Sequence, residues 1–329
     1  MIRPFLAALA ALCLWPALTV HAACGGTDLR PGLDPAALSS AMGDMPFPQG
    51  NLWRAEKPDS VVHVVGTIHL DDPRLDPIAA RLRPLIAGAD RVLLEMTETE
   101  EAALNDAMGR DPGLLFLTDG PTLPDMLAEP DWQRLSQAAR DRGIPAFMAA
   151  KMQPWYLSTL LSIPPCAMAD LAAGGEGLDA RVQDIAMAEG VPTAALEPYD
   201  TLFRLLGAEP MEDQIEVLLA SLLPPRATED MLATTVASYF DESHGEGWVA
   251  ARLIARDLLD MPAAEVDVMF QEMTDILLVD RNRAWMPVIL EAAEGSEIVV
   301  AAGAGHLHGT YGVLQGLADA GYTLTRLPF

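Results

Sequence analysis

Two short turns of the same make, Gly66-Thr67-Ile68-His69 and Gly303-Ala304-Gly305-His306, stand near opposite ends of the chain, each directly after an apolar run. Glycine at the first position lets a chain leave a strand in conformations closed to other residues and lets backbone N–H groups approach a ligand. In open parallel sheets ligands bind beyond the carboxyl ends of the strands, which is where both imidazoles are expected to reach inward. Glu95 ends the apolar run Val92-Leu93-Leu94, and Glu197 ends Ala194-Ala195-Leu196. A carboxylate in such a place must be solvated, paired or functional. His69, His306 and Glu95 are suited to hold a divalent ion, Mn, Co or Zn, with an open coordination position. Without a metal, the same groups make a His general base oriented by Glu and acting on water. Both chemistries stay open on the residues alone. Two common hydrolase designs are absent, since the chain has neither His-Glu-x-x-His nor Gly-x-Ser-x-Gly.

Other residues are candidates for support. Arg281 follows Ile276-Leu277-Leu278-Val279 in a helical pattern and is expected to be partly buried, as a clamp for an oxyanion or a carboxylate. Its rival role is a salt bridge to Glu197, for which Arg74 is the other partner. Asn282, Gly66 and Gly303 complete the set, with Asp72 expected as a helix N-cap rather than a ligand. Among the remaining imidazoles, His63 reads as a satisfied core residue and His308 as a partner of His306. His244 lies in Asp241-Glu242-Ser243-His244-Gly245-Glu246-Gly247, which lacks calcium-loop spacing and reads as a solvated connection.

The elements that must position these groups follow from punctuation and periodicity. Leu52 to Glu56 and Val61 to Val65 flank Lys57-Pro58-Asp59-Ser60, a hairpin signal. Asp72-Pro73 opens a helix with Ile78, Leu82, Leu85 and Ile86 at helical spacing, and Arg91 to Glu95 is the next strand. That strand is expected parallel and adjacent to the one before the helix. The C-terminus repeats the plan: strand Glu297 to Ala302, the second turn, a helix Tyr311 to Ala320, and strand Tyr322 to Leu327. Residues from about 97 to 291 read as a helical insertion, with one strand at 191–197 and a last long helix from about 263 to 293. The fold class is α/β: a central, mostly parallel sheet made from two strand-GxxH-helix-strand units, residues 23–329 forming one domain.

Composition bounds the partners. Of 329 residues, 21 are Lys or Arg and 47 Asp or Glu, a net charge of −26, and the only lysines are Lys57 and Lys151. Such a field repels nucleic-acid backbones and anionic lipid surfaces but does not name a ligand; the peptide or small-molecule substrate expected here goes with the hydrolase-like residues. Residues 1–22 read as a cleaved export signal, with Arg3, an apolar stretch from Phe5 to Val20 and small residues at the cut. No membrane anchor is expected after cleavage, and the protein is expected to be periplasmic or secreted. Cys13 leaves with the signal, so Cys24 and Cys166 remain as an even pair in an oxidising compartment and are expected to form a disulfide.

The sequence resembles the TraB/PrgY/GumN family, whose distant relatives include the TIKI metallopeptidases and the erythromycin esterases. The likeness rests on residues 64–74 (Val-Val-Gly-Thr-Ile-His-Leu-Asp-Asp-Pro-Arg), Glu95, Leu196-Glu197-Pro198, Asp280-Arg281-Asn282 with Trp285, and Gly303 to His306. It is strongest to exported GumN-like bacterial members, through Pro164-Pro165-Cys166 and Gly177-Leu178-Asp179. The resemblance implies a hydrolase-like site at the two turns, Glu95 and Arg281. The TIKI side implies a metal-dependent peptidase using His69 and His306, which is the function expected for this exported chain, and the esterase side implies the alternative, a metal-independent His/Glu mechanism. A non-catalytic protein that holds a peptide or saccharide in the same cleft is the reading from a different class.

Overall fold

A computed structural model of the chain describes residues 24–168 and 174–329, and the expected signal peptide lies outside the described residues. Six strands form one sheet: β1 (Leu52–Lys57), β2 (Ser60–Thr67), β3 (Arg91–Leu94), β4 (Thr193–Ala195), β5 (Glu297–Gly303) and β6 (Thr323–Arg326). Their order is β4-β3-β5-β2-β1-β6. β4, β3, β5 and β2 run parallel, and β1 is antiparallel to both β2 and β6. The predicted hairpin is β1-β2, turning between Lys57 and Ser60.

β2 and β3 are parallel as expected but not adjacent, because β5 inserts between them. A crossover helix long enough to clear one strand also clears two, so connection length could not show the insertion. β6 likewise does not return to β5 but closes the far edge on β1. β4 is shorter than the expected run at 191–197. Its backbone pairs with β3 from Thr193 to Ala195, and Leu196 N–H adds one more bond to Leu94 O.

Both faces of the sheet are covered, which is why β2 and β5 read as nearly unbroken apolar runs. Helix Leu75–Gly88 presents Leu75, Ile78, Leu82 and Ile86 to one face, and helix Leu178–Glu189 packs beside it through Leu178, Val182, Ile185 and Ala186. On the other face, helix Asp280–Ala292 buries Trp285 and Ile289, and helix Val313–Asp319 buries Val313, Leu314 and Leu317. Helix Leu75–Gly88 starts three residues after Asp72. The Asp72 carboxylate instead accepts the Arg74 N–H at 2.8 Å and pairs with the Arg74 guanidinium, tightening the turn that leads into the helix.

A third apolar cluster is built on Leu123, Leu135, Leu157 and Leu161 from the helices between β3 and β4, together with Leu218 from helix Met211–Ala220, which follows β4. The predicted last helix is interrupted. It runs Ala263–Thr274, passes through a π-helical turn at Asp275–Val279 and resumes at Asp280. Such turns add a residue to the helical circuit and recur at functional sites.

Cys24 and Cys166 are bonded, with Cα atoms 5.5 Å apart, so the N-terminal arm is tied to the turn after helix Pro154–Ser162. The arm also lies along helix Pro225–Phe240, where Thr27 and Leu29 donate to Asp230 and Thr234. The purified mature protein is therefore expected to take up alkylating reagent at no cysteine until it is reduced. Reduction is expected to lower stability by about 2–5 kcal/mol. Two thiols alkylated without reductant, counted by mass spectrometry, would rule the bridge out.

Candidate functional site

Beyond the carboxyl ends of β2, β3, β4 and β5, Arg281 sits between two carboxylates. Its Nη2 donates to Glu95 Oε2 and to Glu197 Oε1, both at 2.6 Å, and its Nε donates to the Glu197 carboxylate at 3.0 and 3.1 Å. Nη1 donates to Leu277 O and to His306 Nε2, both at 3.3 Å. A guanidinium has five N–H groups, and these contacts use them all. Arg281 therefore holds carboxylates, and in this arrangement no N–H is left to receive an oxyanion. The π turn supplies Leu277 O and delivers Arg281 and Asn282 together onto the sheet edge. Trp285, one turn on, donates its indole N–H to Glu197 Oε2 at 2.8 Å and stacks on the His306 ring at 4.3 Å between centroids.

The tautomer of His306 follows from its neighbours. Asn282 Nδ2 donates to His306 O at 3.2 Å and Tyr311 O at 2.9 Å, so its Oδ1 is the face turned to His306 Nδ1, 2.7 Å away. An amide oxygen only accepts, so the proton is on Nδ1 and the lone pair on Nε2. That Nε2 lies 3.9 Å from Glu95 Oε1. Burial, opposed by the charge of Glu95 and reinforced by Arg281 and His69, lowers the His306 pKa to about 4, and the ring is neutral at neutral pH.

Glu95 is charged. Burial alone would raise its pKa, but His306 once protonated in acid, Arg281, His69 and the Gly303 N–H together bring it down to about 2. The Gly303 N–H donates to Oε1 at 2.7 Å. Neither Gly66 nor Gly303 has a positive φ, so the expected special backbone conformation is not what they provide. They provide room. A Cβ on Gly66 would meet Ala304 and Leu307 at 3.2 Å, and one on Gly303 would meet Glu95 Oε1 at 3.3 Å.

His69 stands apart from the expectation of an inward-facing ring, with 60% of its side chain exposed. Its Nδ1 lies 2.9 Å from Asp179 Oδ1. The Asp179 carboxylate, working against burial and helped by Glu95, raises the His69 pKa, so this imidazole favours the protonated form. The loop that carries it is held by helix Leu178–Glu189, whose Leu178 N–H donates to Ile68 O. Gly177 packs so closely there that a Cβ would fall 2.4 Å from Ile68 O and 2.7 Å from His69 Cα. Gly177→Ala is accordingly expected to displace the His69 loop at a cost of about 1–3 kcal/mol. An unchanged unfolding midpoint together with an unchanged His69 NMR titration would count against this packing.

Thus the structure brings Glu95, Glu197, Arg281, Asn282, His306 and Gly303 into direct contact. His69 lies within electrostatic reach of Glu95 and Arg281, while Asp72 is engaged with Arg74 outside the cluster. The sequence matches the TraB/PrgY/gumN family over residues 51–326, a span that contains every residue of the cluster. The chain belongs to this family. It is similar to the "Uncharacterized protein YbaP" of Escherichia coli (strain K12), at 24% identity over 255 residues covering 75% of this chain and 84% of that protein. The protein of the same name from Shigella flexneri is similar to the same degree.

In this member of the TraB/PrgY/gumN family, a divalent ion shared by His69, His306 and Glu95 would have to displace Arg281 from His306 Nε2 and from Glu95 Oε2. Both Glu95 oxygens are already engaged, and His306 Nε2 looks onto the fixed charge of the Arg281 guanidinium. Among the described residues no three His, Cys, Asp or Glu side chains are grouped to hold a metal.

Two sequence readings change. His308 does not support His306, and His244 is not in a solvated loop. His244 opens helix His244–Leu258, and the two rings are buried against each other with Nδ1 atoms 3.4 Å apart, His244 bonding Gly50 O and His308 bonding Tyr311 Oη. Asp179 was passed over as a working residue. Its signal was the segment Gly177-Leu178-Asp179, which reads locally as a helix start. His63 is buried as expected and pairs through Nε2 with Glu297, while its Nδ1 has no partner among the described residues.

Proposed function

We propose that the protein is an exported hydrolase of ester or amide bonds that works through its own imidazoles and carboxylates. The observation that carries this reading is the pair of imidazoles held in opposite states. His306 is buried, neutral and fixed with an unprotonated Nε2 that accepts from Arg281 Nη1 beside Glu95, whereas His69 is exposed and biased toward its protonated form by Asp179. Titratable groups pushed apart in this way assign the roles of acid and base. His306 Nε2 takes a proton from water as it attacks. The Arg281 Nη1 contact to it, at 3.3 Å, is the longest of the guanidinium's side-chain bonds and the one that yields. Glu95 steadies the imidazolium that forms, and His69 gives its proton to the leaving group. Arg281 and Glu197 act by holding Glu95 in place.

The substrate is a peptide or a small ester or amide. Export is supported by the Cys24–Cys166 bridge, and no helix among the described residues is long and apolar enough to cross a membrane. The resemblance to metallopeptidases keeps a metal-dependent form as the competing proposal, and the same experiment judges both. Purified mature protein is incubated with a peptide and ester panel, with and without chelator, and products are read by mass spectrometry. Cleavage that survives chelation and falls by about 10²- to 10⁴-fold in His306→Ala is the expected result. Stoichiometric Mn, Co or Zn, lost in both His69→Ala and His306→Ala, would transfer the case to the metal form. Retention of a ligand without turnover would leave a binding protein.

A further inference from the structure

Gly303 ends β5 with a φ of −49°, on the side of the map that every L-residue uses. What its missing side chain provides is therefore space. A Cβ there would lie 3.3 Å from Glu95 Oε1 and 3.7 Å from His306 Cδ2, with no other atom of the described residues within 4 Å beyond its chain neighbours. Solvent reaches this slot from outside, since Gly303 and Glu95 are half-buried while Arg281, Asn282 and His306 behind them are buried. Within the imidazole Cδ2 is bonded to Nε2, so whatever fills the slot is a close neighbour of the general base.

The chemistry of the walls decides what fits. Glu95 Oε1 accepts the Gly303 N–H at 2.7 Å, and Oε2 accepts from Arg281 Nη2 at 2.6 Å. An ionised carboxylate has about four acceptor directions, so Oε1 can take a further bond. The Gly303 N–H is already spent on Glu95, and the slot therefore accepts hydrogen bonds and offers none. A ligand carboxylate or phosphate would meet a charge of its own sign there. An N–H or O–H would instead complete the shell of a carboxylate held largely out of water. A nitrogen standing where the Cβ would be lies 3.3 Å from Oε1, and a shift of about 0.3 Å toward Glu95 brings it within ordinary hydrogen-bond range.

We propose that the bare Cα of Gly303 and Oε1 of Glu95 form a subsite for one hydrogen-bond-donating group of the substrate, neutral or cationic, beside the bond that is cleaved. The inference rests on the hydrolase reading for the part played by His306, and it adds what the substrate must carry. Gly303 is thereby a specificity-determining residue: any side chain at this position takes the place of the donor.

Crystals of the full mature chain soaked with formamide, which carries N–H, and with N,N-dimethylformamide, which carries none, test the subsite without turnover. Density for the formamide nitrogen against Gly303 and within hydrogen-bond distance of Glu95 Oε1 is expected in the wild type. The dimethyl compound is expected to leave the slot empty, as is formamide in Gly303→Ala, whose structure also shows whether Glu95 has stayed in place. On a substrate from the panel, methylating its N–H and O–H groups one at a time is expected to find one whose loss lowers kcat/KM by about 10- to 100-fold. Gly303→Ala is expected to cost a similar factor, and the two losses combined little more than either, because both remove the same contact. A slot without formamide in well-ordered wild-type crystals overturns the inference, as do two losses that multiply. Formamide seated as expected in a protein that cleaves nothing in the panel overturns the hydrolase reading instead, and the donor subsite stands as part of a binding site.

Discussion

Replacing Arg281 with methionine is expected to remove about 3–5 kcal/mol of stability, more than any other single change at the cluster. The reason is what the substitution leaves behind. Glu95 and Glu197 have side chains only 16% and 10% exposed, and Arg281 is the shared cation between them. Without it, two carboxylates face each other in a site too dry to screen them, and one must take up a proton. Arg281→Lys is expected to recover little, because a single ammonium does not reproduce the planar fork that reaches Glu95, Glu197, Leu277 O and His306 together. Adding Glu197→Gln to Arg281→Met removes one of the stranded charges and is expected to return part of the loss. Urea unfolding at neutral pH measures all three. A loss under about 1 kcal/mol with an unchanged denaturant slope would show that the carboxylates find other partners.

Acidification is the second large expected effect. His244, His306 and His308 are all buried, and burial, the first cause in each case, lowers their pKa values to about 4, 4 and 3 from 6.5. For His244, Arg326 adds to this while the Gly50 carbonyl and Glu242 oppose it. For His308, the neighbouring imidazoles His244 and His306 add to it. A depressed folded-state pKa means that the unfolded chain binds the proton first. The stability from these groups is fully present above pH 6.5, falls as the pH drops below it and is gone at about pH 4. Moving one imidazole from 6.5 to about 4 is worth roughly 3 kcal/mol. The His244 and His308 rings face each other, so their losses are coupled and do not simply add. Glu95, with its pKa lowered to about 2, contributes in the same direction at still lower pH. Denaturant melts at a series of pH values from about 7 to about 4.5 should show a steep decline, made shallower by His308→Gln. A flat profile over that interval would show that these rings are solvated.

Much of the site could be read from the sequence because strand ends announce themselves. A glycine after an apolar run and a carboxylate closing another one are local signals, and Gly303 with His306, Glu95 and Glu197 carry them. The strand pairing was not legible, since no local feature of Ile298 to Ala302 says that it inserts between β2 and β3. The orientation of His69 was hidden for the same reason: the residue that turns it, Asp179, lies in a helix brought close only by tertiary packing. His244 looked solvated because its segment is rich in charge and glycine, and only the fold reveals that Gly245 packs against Met45 and Pro48. The full engagement of Arg281 is likewise a matter of geometry, because a mid-helix arginine reads the same whether its donors are free or spent.

The place of β5 in the sheet bears on the order of events in the life of the chain. A polypeptide emerges from the ribosome or an export channel N-terminus first, and β2 and β3 are available long before β5. They cannot close on each other in the final sheet, because the strand between them comes from residues 297–303. The central seam is therefore filled last, by a contact of very long sequence separation, which is slow to form. The same late strand brings Gly303 and His306, so the carboxylate of Glu95 has neither its backbone donor nor its imidazole until synthesis is nearly complete. The cluster around Glu95 is thus completed only once residues 303–306 have emerged and entered the sheet.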